Sequence, residues 1–178
     1  ASGSNEADSF GVASKAALDA WVGRLDPKDA RFRHHQVEAL WTYRTLGSEN
    51  TVLLKQVLNC ENHHARAAAT AQLRHSAPPD GIGELRKRAN DDNALVRMEA
   101  VIAASYIGTK EALDAVLAVL DRPAGEHLTY AIRTALGSEA LAGHTLFIGA
   151  GRRKHARAEC ARHLNRRRAD AAGTALHQ

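Results

Sequence analysis

The chain is poor in aromatic residues and in cysteine, and each shortage excludes a class of protein. Only 4% of its 178 residues are aromatic, and there are two cysteines, four prolines and one methionine. Two cysteines are too few for the disulfide framework of a small secreted domain. Neither belongs to a C-x-x-C-H motif, because the chain reads C-E-N-H-H from Cys60 and C-A-R-H from Cys160. The sequence therefore predicts no covalently attached haem.

Long apolar runs and enzyme motifs are also missing. No run approaches the roughly 18 apolar residues that a membrane-spanning helix needs. We find no Walker loop, no zinc-protease helix and no Ser-His-Asp order. Hydrophobic residues still make up 44% of the chain, so a core of Ala, Leu, Val and Ile is expected in one domain. We predict a protein with no catalytic residue, no cofactor and no metal.

A repeat of about 30 residues runs through most of the chain. Small residues close apolar helical stripes at intervals of 30, 31 and 29, at Gly47, Ala77, Gly108 and Gly137. The tetrapeptide Leu-Gly-Ser-Glu at 46–49 recurs at 136–139. Gly47 suits the residue after a helix, where the left-handed conformation is common, and Gly108 and Gly137 are the corresponding repeat positions. A fixed period of this size is typical of a solenoid, whose units bury their apolar faces against neighbours.

Apolar spacing, capping residues and prolines divide this region into eight helices in four pairs. The first is predicted at about 14–25, and the second follows the turn at 26–29 and ends at 46. The other six are predicted at about 51–59, 62–75, 80–90, 94–107, 109–120 and 124–136. The first helices of the pairs end at intervals of 33, 31 and 31, so both members of the pair keep the period. We predict three segments: a frayed N-terminal segment at 1–12, a repeat domain at 13–140 and a basic C-terminal segment at 141–178.

One segment resembles the second helix of a HEAT repeat. Residues 93–104 read N-A-L-V-R-M-E-A-V-I-A-A, and Val-Arg followed by alanines is the hallmark of that helix. The resemblance implies an all-α, HEAT-like α-solenoid of about four helix pairs. It also implies that Arg66 and Arg97, at the same repeat position, tie adjacent repeats through acidic partners. The candidate partners are Glu61, Asp91 and Asp92.

Five stretches are similar, in the same order, to the HEAT segment of the PVC-type haem-binding CxxCH proteins. They are L-D-P-K-D at 25–29, H-H-Q-V-E-A-L-W at 34–41, L-L-K-Q-V-L at 53–58, A-R-A-A-A-T at 65–70 and V-R-M-E-A-V at 96–101. The similarity covers roughly residues 13–140. It implies a portion of a larger extracytoplasmic redox protein associated with a c-type cytochrome. In those proteins a β-propeller precedes the helical repeats and a cytochrome domain follows, and this sequence contains neither.

Two histidine pairs raise the question of a metal site. His34-His35 and His63-His64 lie at nearly equivalent repeat positions, and Cys60 is three residues before His63. Imidazole and thiolate suit zinc or copper. However, histidines at helix starts commonly face solvent or cap backbone groups, and no fourth ligand is evident, so we favour that interpretation.

Other residues have plain structural interpretations. Glu38 and Glu99 occupy the same repeat position with a whole repeat between them, where Ala68 stands at that position. We expect them on a solvated face, too far apart for general acid–base catalysis. Trp21, Trp41 and Tyr43 form either a ligand-receiving aromatic cluster or, as we favour, a cap on the end of the solenoid.

The last part of the chain is strongly basic. Residues 151–170 contain eight basic residues against two acidic ones, while the remainder carries 16 of the 24 basic and 18 of the 20 acidic residues. The basic residues, which are candidate contacts for anions or nucleic acid, are Arg152, Arg153, Lys154, Arg157, Arg162, Arg166, Arg167 and Arg168. No aromatics are interleaved for base stacking.

Two functions follow from these patterns. The favoured prediction is a non-catalytic scaffold that binds a protein partner or adjacent domains. The alternative is a HEAT-like nucleic-acid-binding protein that uses the basic segment.

Overall fold

The computed structural model describes residues 3–75 and 81–138, with side chains from residue 11 onward. This part of the chain contains eight α-helices, one 3-10 helix and no strand. The helices are α1 (Gly3–Val22), α2 (Phe32–Thr45), α3 (Thr51–Leu58), α4 (His63–Gln72), α5 (Gly81–Ala89), α6 (Ala94–Ile107), α7 (Lys110–Ala118), followed by a 3-10 turn (Val119–Asp121), and α8 (Glu126–Leu136). The predicted all-α solenoid of about four helix pairs is confirmed.

The helix ends agree with the sequence expectation except at the N-terminus. Helix α1 begins at Gly3, well before the predicted start near 14, so it covers most of the segment that we predicted to be frayed. The remaining helices begin and end within a few residues of the predicted bounds.

Side-chain caps explain why four of the helices, α3, α4, α6 and α7, begin where they do. Asn62 accepts hydrogen bonds from the amides of His64 and Ala65, and Asn93 accepts one from Leu95. Asn50 and Thr109 cap the first helices α3 and α7 in the same way. Each cap satisfies a backbone donor that has no partner within its helix, so the local sequence determines these helix starts.

The second helices of the four pairs form a continuous layer. Helix α6 packs against both α4 and α8, and α4 also packs against α2. The first helices cover this layer: α3 packs on α4, α5 on α6, and α7 on both α5 and α6. No pair encloses its own core, which is the arrangement expected of a solenoid.

Alanine makes the close contacts of this core possible. In α6, Ala100, Ala103 and Ala104 are at most 1% exposed, and Ala65 and Ala69 of α4 are also buried. Larger core side chains come from both helices of the pairs, among them Leu58, Leu85 and Leu113 of the first helices and Tyr43 and Ile132 of the second.

Two glycines end helices in the left-handed conformation, and a third does not. Gly47 has φ +63° and Gly108 has φ +69°. At Gly47, the amide of Ser48 donates to Tyr43 O and that of Gly47 donates to Arg44 O, which is the Schellman pattern. Gly137 instead has φ −92° and ψ −4°. Its equivalence to Gly47 in sequence does not extend to backbone conformation, because its amide bonds Arg133 O and prolongs the right-handed turn.

Some predicted features lie outside the described residues. These are Ala77, Cys160 and the basic residues between Arg152 and Arg168. Within the described part, no helix combines the length and hydropathy required to cross a bilayer.

Candidate functional site

Arg66 joins the second repeat to the third. Its Nε and Nη2 donate to Asp91 Oδ2 and Oδ1, both at 3.0 Å, and its Nη1 donates to the carbonyls of Cys60 and Glu61 at 2.9 Å. Burial favours the neutral form of the Asp91 carboxyl, but hydrogen bonds from Arg66 and the Asn93 amide outweigh it and lower the pKa of Asp91. Asp91 was one of the three candidate partners.

Arg97, at the equivalent position, contacts carbonyls and no carboxylate among the described residues. Its Nη1 donates to Asp91 O at 2.7 Å and Asp92 O at 2.9 Å, and its Nη2 donates to Pro123 O at 3.0 Å. The expected acidic partner is therefore wrong for Arg97. The side chain of Asp91 is occupied by Arg66, and Asp92 pairs with Arg122 at 2.8 Å in solvent.

A third interface arginine, Arg88, was missed by the sequence analysis. It is 3% exposed, donates to Leu58 O, and lies 3.5 Å from Glu84 and 3.8 Å from Asp91. Burial lowers the pKa of Arg88, although the two nearby carboxylates oppose the shift. Arg88 ends the basic run at 86–88 at the end of α5, which in sequence is typical of a solvated helix end. Only the packing of α5 distinguishes it from its neighbours.

The histidine pairs do not converge with Cys60 on a metal site. His34 Nε2 lies 3.6 Å from Glu38 and His35 Nε2 lies 3.8 Å from Asp29. The ring centroids of His63 and His64 are 4.1 Å apart, and the two rings are tilted by 38°. Cys60 is buried, with its Sγ 3.4 Å from Asn62 O. No group of three His, Cys, Asp or Glu side chains suitable for an ion occurs in the part of the chain described.

The three N-terminal aromatics occupy different environments. Tyr43 is buried, and its hydroxyl donates to Asp19, which ties α1 to α2. Trp21 packs edge-on against His35 with ring centroids 5.9 Å apart. Trp41 is 47% exposed.

Glu99 differs from the solvated carboxylate that we expected. Glu38 is exposed, but Glu99 is half-buried, and its Oε2 receives no hydrogen bond from the described residues. The nearest cation is Arg74, whose Nη2 lies 3.9 Å from Oε2. Burial raises the pKa of Glu99 and outweighs the opposing charge of Arg74. The expectation failed because α6 packs against the preceding repeat, which places Arg74 beside Glu99.

A groove of about 780 Å³ lies between α6 and α8. Its floor is apolar and consists chiefly of Leu95, Met98, Ile102, Leu128 and Ala131. Tyr106 and Tyr130 line it and are 66% and 70% exposed. Among the described residues that line the groove there is no lysine or arginine. We call this feature the α6–α8 groove.

The α6–α8 groove exists because α6 carries two apolar stripes. The first, Val96, Ala100 and Ala103, is buried in the core. The second runs through Leu95, Met98, Ile102 and Tyr106, at the i, i+3, i+7, i+11 spacing of one helix face. This second stripe was not predicted from the sequence, although a helix that is apolar nearly all round is itself a signal that two faces have partners.

Comparison with known proteins identifies the repeat type. Residues 50–137 match the family model of HEAT repeats. No curated protein and no solved structure matches the chain. Residues 50–137 are thus a HEAT-repeat segment that includes α3 to α8 and the α6–α8 groove.

Proposed function

We propose that this protein is a non-catalytic HEAT-repeat scaffold that binds a protein partner in the α6–α8 groove. The observation that carries the proposal is the position of Tyr106 and Tyr130. They are two of the six large hydrophobic side chains left exposed in the described part of the chain, and both border one apolar groove. Exposed aromatics around an apolar depression are characteristic of protein interfaces, where tyrosine often carries much of the binding energy.

The contacts at one end of the groove support a preformed site. Arg97 bonds the carbonyl of Pro123, and Arg122 pairs with Asp92, so two links hold the connection before α8 against the start of α6. On α8, Ala131 faces the groove and its small side chain leaves space. A site held open in this way loses little entropy on binding.

Peptide display tests this proposal. A library of random 16-residue peptides is selected against the full chain, against the double variant Tyr106→Ala/Tyr130→Ala, and against the control Trp41→Ala/Val52→Ala. The control removes two exposed hydrophobic side chains that do not line the groove. We expect peptides selected on the unmodified chain to bind the control equally and to lose at least tenfold affinity for the tyrosine variant. Equal binding to all three proteins, or no enrichment, contradicts the proposal.

We further propose that the segment belongs to a larger extracytoplasmic haem-binding redox protein. The support is the order of five similar stretches within residues 25–101. An antibody raised against residues 13–138 tests it on native cell fractions. We expect a periplasmic or secreted band much larger than 19.2 kDa that also stains for haem peroxidase activity. A band near this mass without haem staining contradicts the proposed haem-binding protein but does not affect the proposal that the groove binds a partner.

The alternative function, nucleic-acid binding, is supported by the eight basic residues between Arg152 and Arg168, which lie outside the described residues. Neutralising several phosphates makes binding steeply dependent on salt. Duplex DNA is titrated at about 50 and 200 mM salt, where affinity is expected to fall by orders of magnitude. Absence of binding at the lower salt rejects the alternative.

A further inference from the structure

We infer that the partner of the α6–α8 groove is an amphipathic α-helix that directs a lysine or arginine to Glu99. This inference rests on the proposed function and adds the conformation and charge of the occupant. Three features of the groove carry it: the closed backbone of its walls, its length, and the unsatisfied carboxylate at its border.

The walls of the groove favour a helical occupant. Both are α-helices, whose backbone N–H and C=O groups along the groove are already bonded within each helix. An extended peptide finds no sheet edge there and would bury its own backbone groups without partners. A helix satisfies its backbone internally and presents only side chains, as in other helix-in-groove complexes.

The length of the groove sets the size of the occupant. It extends along α6 from Ala94 to Tyr106, which is roughly 18 Å at the rise of an α-helix. This matches about three turns. Apolar side chains at i, i+3, i+4 and i+7 of the occupant would cover the floor formed by Met98, Ile102 and Ala131, with Tyr106 and Tyr130 at its sides.

The charge of the occupant follows from Glu99. Leu95 and Ile102, which line the groove, are four and three residues away from Glu99 on the same helix, so Glu99 borders the groove on the α4 side. Its buried Oε2 lacks a hydrogen-bond donor, and such an atom carries a free-energy penalty.

Arg74 leaves this penalty in place. Its guanidinium lies over the ring of Tyr106 at 5.6 Å, and its Nη2 is 3.9 Å from Glu99 Oε2, beyond hydrogen-bond distance. The Glu99 side chain is 21% exposed, so a cationic side chain of the partner would pair with the accessible part of the carboxylate in a partly desolvated site, where such bonds are strong. It would meet no lysine or arginine among the described residues that line the groove.

Three synthetic peptides test the inference with the full chain. Each has about 14 residues, enough for the three turns of the groove. Leucines occupy the apolar spacing, glutamines the remaining positions, and one position beside the stripe is Lys, Gln or Glu. Affinities are measured for the unmodified chain, for Glu99→Gln, and for the control Glu38→Gln, which removes an exposed carboxylate from α2.

We expect the Lys peptide to bind the unmodified chain and the control roughly tenfold or more tighter than the Gln peptide, and the Glu peptide to bind weakest. With Glu99→Gln the Lys and Gln peptides should bind alike. Equal binding of all three peptides to the unmodified chain, or an unchanged Lys preference in Glu99→Gln, overturns the inference but leaves the groove as a binding site. Absence of binding by every peptide, together with failure of the display experiment, rejects the proposed function itself.

A photo-crosslinker identifies the occupant directly. Benzoylphenylalanine replaces Tyr130 in the full chain. The inference requires a crosslink to the Lys peptide that an excess of the same peptide without a label suppresses. A crosslink to residues 139–178 or to a second copy, undiminished by the peptide, overturns it.

Discussion

One carboxylate, that of Asp91, serves two arginines from different repeats. Arg66 of α4 donates to both of its oxygens at 3.0 Å, and Arg88 of α5 lies 3.8 Å away. The pair Arg66–Asp91 is largely shielded from water, with side-chain exposures of 17% and 9%. The junction between the second and third repeats therefore depends on charge as well as on apolar packing.

Replacing Asp91 by alanine is expected to destabilise the fold by roughly 3 kcal/mol, because it leaves two buried guanidinium groups without their shared partner. The measurement is the free energy of unfolding from urea denaturation. Asp92→Ala is the matched control, since Asp92 is the next residue and forms a pair with Arg122 in solvent. The control should change stability by at most about 0.5 kcal/mol; a similar loss in both variants would contradict the role of Asp91.

Arg97→Ala is expected to cost about 2 kcal/mol, because three backbone carbonyls lose a charged donor. The loss of the bond to Pro123 should also increase hydrogen exchange at the start of α8. Arg133→Ala, an exposed arginine on α8, is the control. Unchanged stability and exchange in Arg97→Ala would remove the assignment of this residue to the repeat junction.

Gly47 and Gly137 lie in two copies of the tetrapeptide Leu-Gly-Ser-Glu. We expect substitution by alanine to have opposite effects on stability at the two positions. At Gly47, φ is +63°, so alanine should destabilise the protein by about 1 kcal/mol although its Cβ meets nothing within 4 Å. At Gly137, where φ is −92° and the nearest atom to a Cβ is Arg133 O at 3.4 Å, alanine should stabilise by about 0.5 kcal/mol. Thermal unfolding of the two variants side by side measures this difference. Equal effects would show that the tetrapeptide dictates backbone conformation after all.

Glu99→Gln is expected to raise the melting temperature at neutral pH. Burial raises the pKa of Glu99 above its usual 4.5, so Glu99 binds its proton more tightly in the folded state than in the unfolded state. Its stabilising contribution is complete below the unfolded pKa and is lost as pH rises through the folded pKa. Glutamine avoids this loss, so the advantage of the variant should disappear as pH falls below about 4.5. The control Glu38→Gln reports the effect on the melting temperature of removing one exposed charge. If the stabilisation by Glu99→Gln grew as the pH fell, the raised pKa of Glu99 would be contradicted.

The same substitution is expected to weaken binding of a lysine-bearing helix. A residue that costs stability in the free protein and gains a partner on binding fits the usual conflict between stability and function. Stability and binding therefore test Glu99 independently.

Local signals predicted the helices well. Asn62 and Asn93 cap the helices they precede, as the position of these residues before apolar stripes indicates. These interactions lie within a few residues of one another in sequence, so they can be read without knowing the fold.

Contacts between repeats were predicted less well. Asp91 was correctly included among the partners of Arg66, but Arg97 was expected to have an acidic partner and bonds the carbonyl of Pro123 instead. Arg88 could not be separated from the exposed basic residues beside it, because its burial depends on how α5 meets the preceding repeat. The groove was missed because the second stripe of α6, although present in the sequence, does not specify how far α8 lies from it.

The amino-acid sequence by itself determined the helical period, the helix starts and the need for each pair to stack on its neighbours, because these depend on apolar spacing and on caps a few residues away. Tertiary structure alone decided which guanidinium groups meet Asp91 and how far α8 lies from α6. Those outcomes depend on distances between residues about 25 to 30 positions apart, and no local pattern specifies such distances.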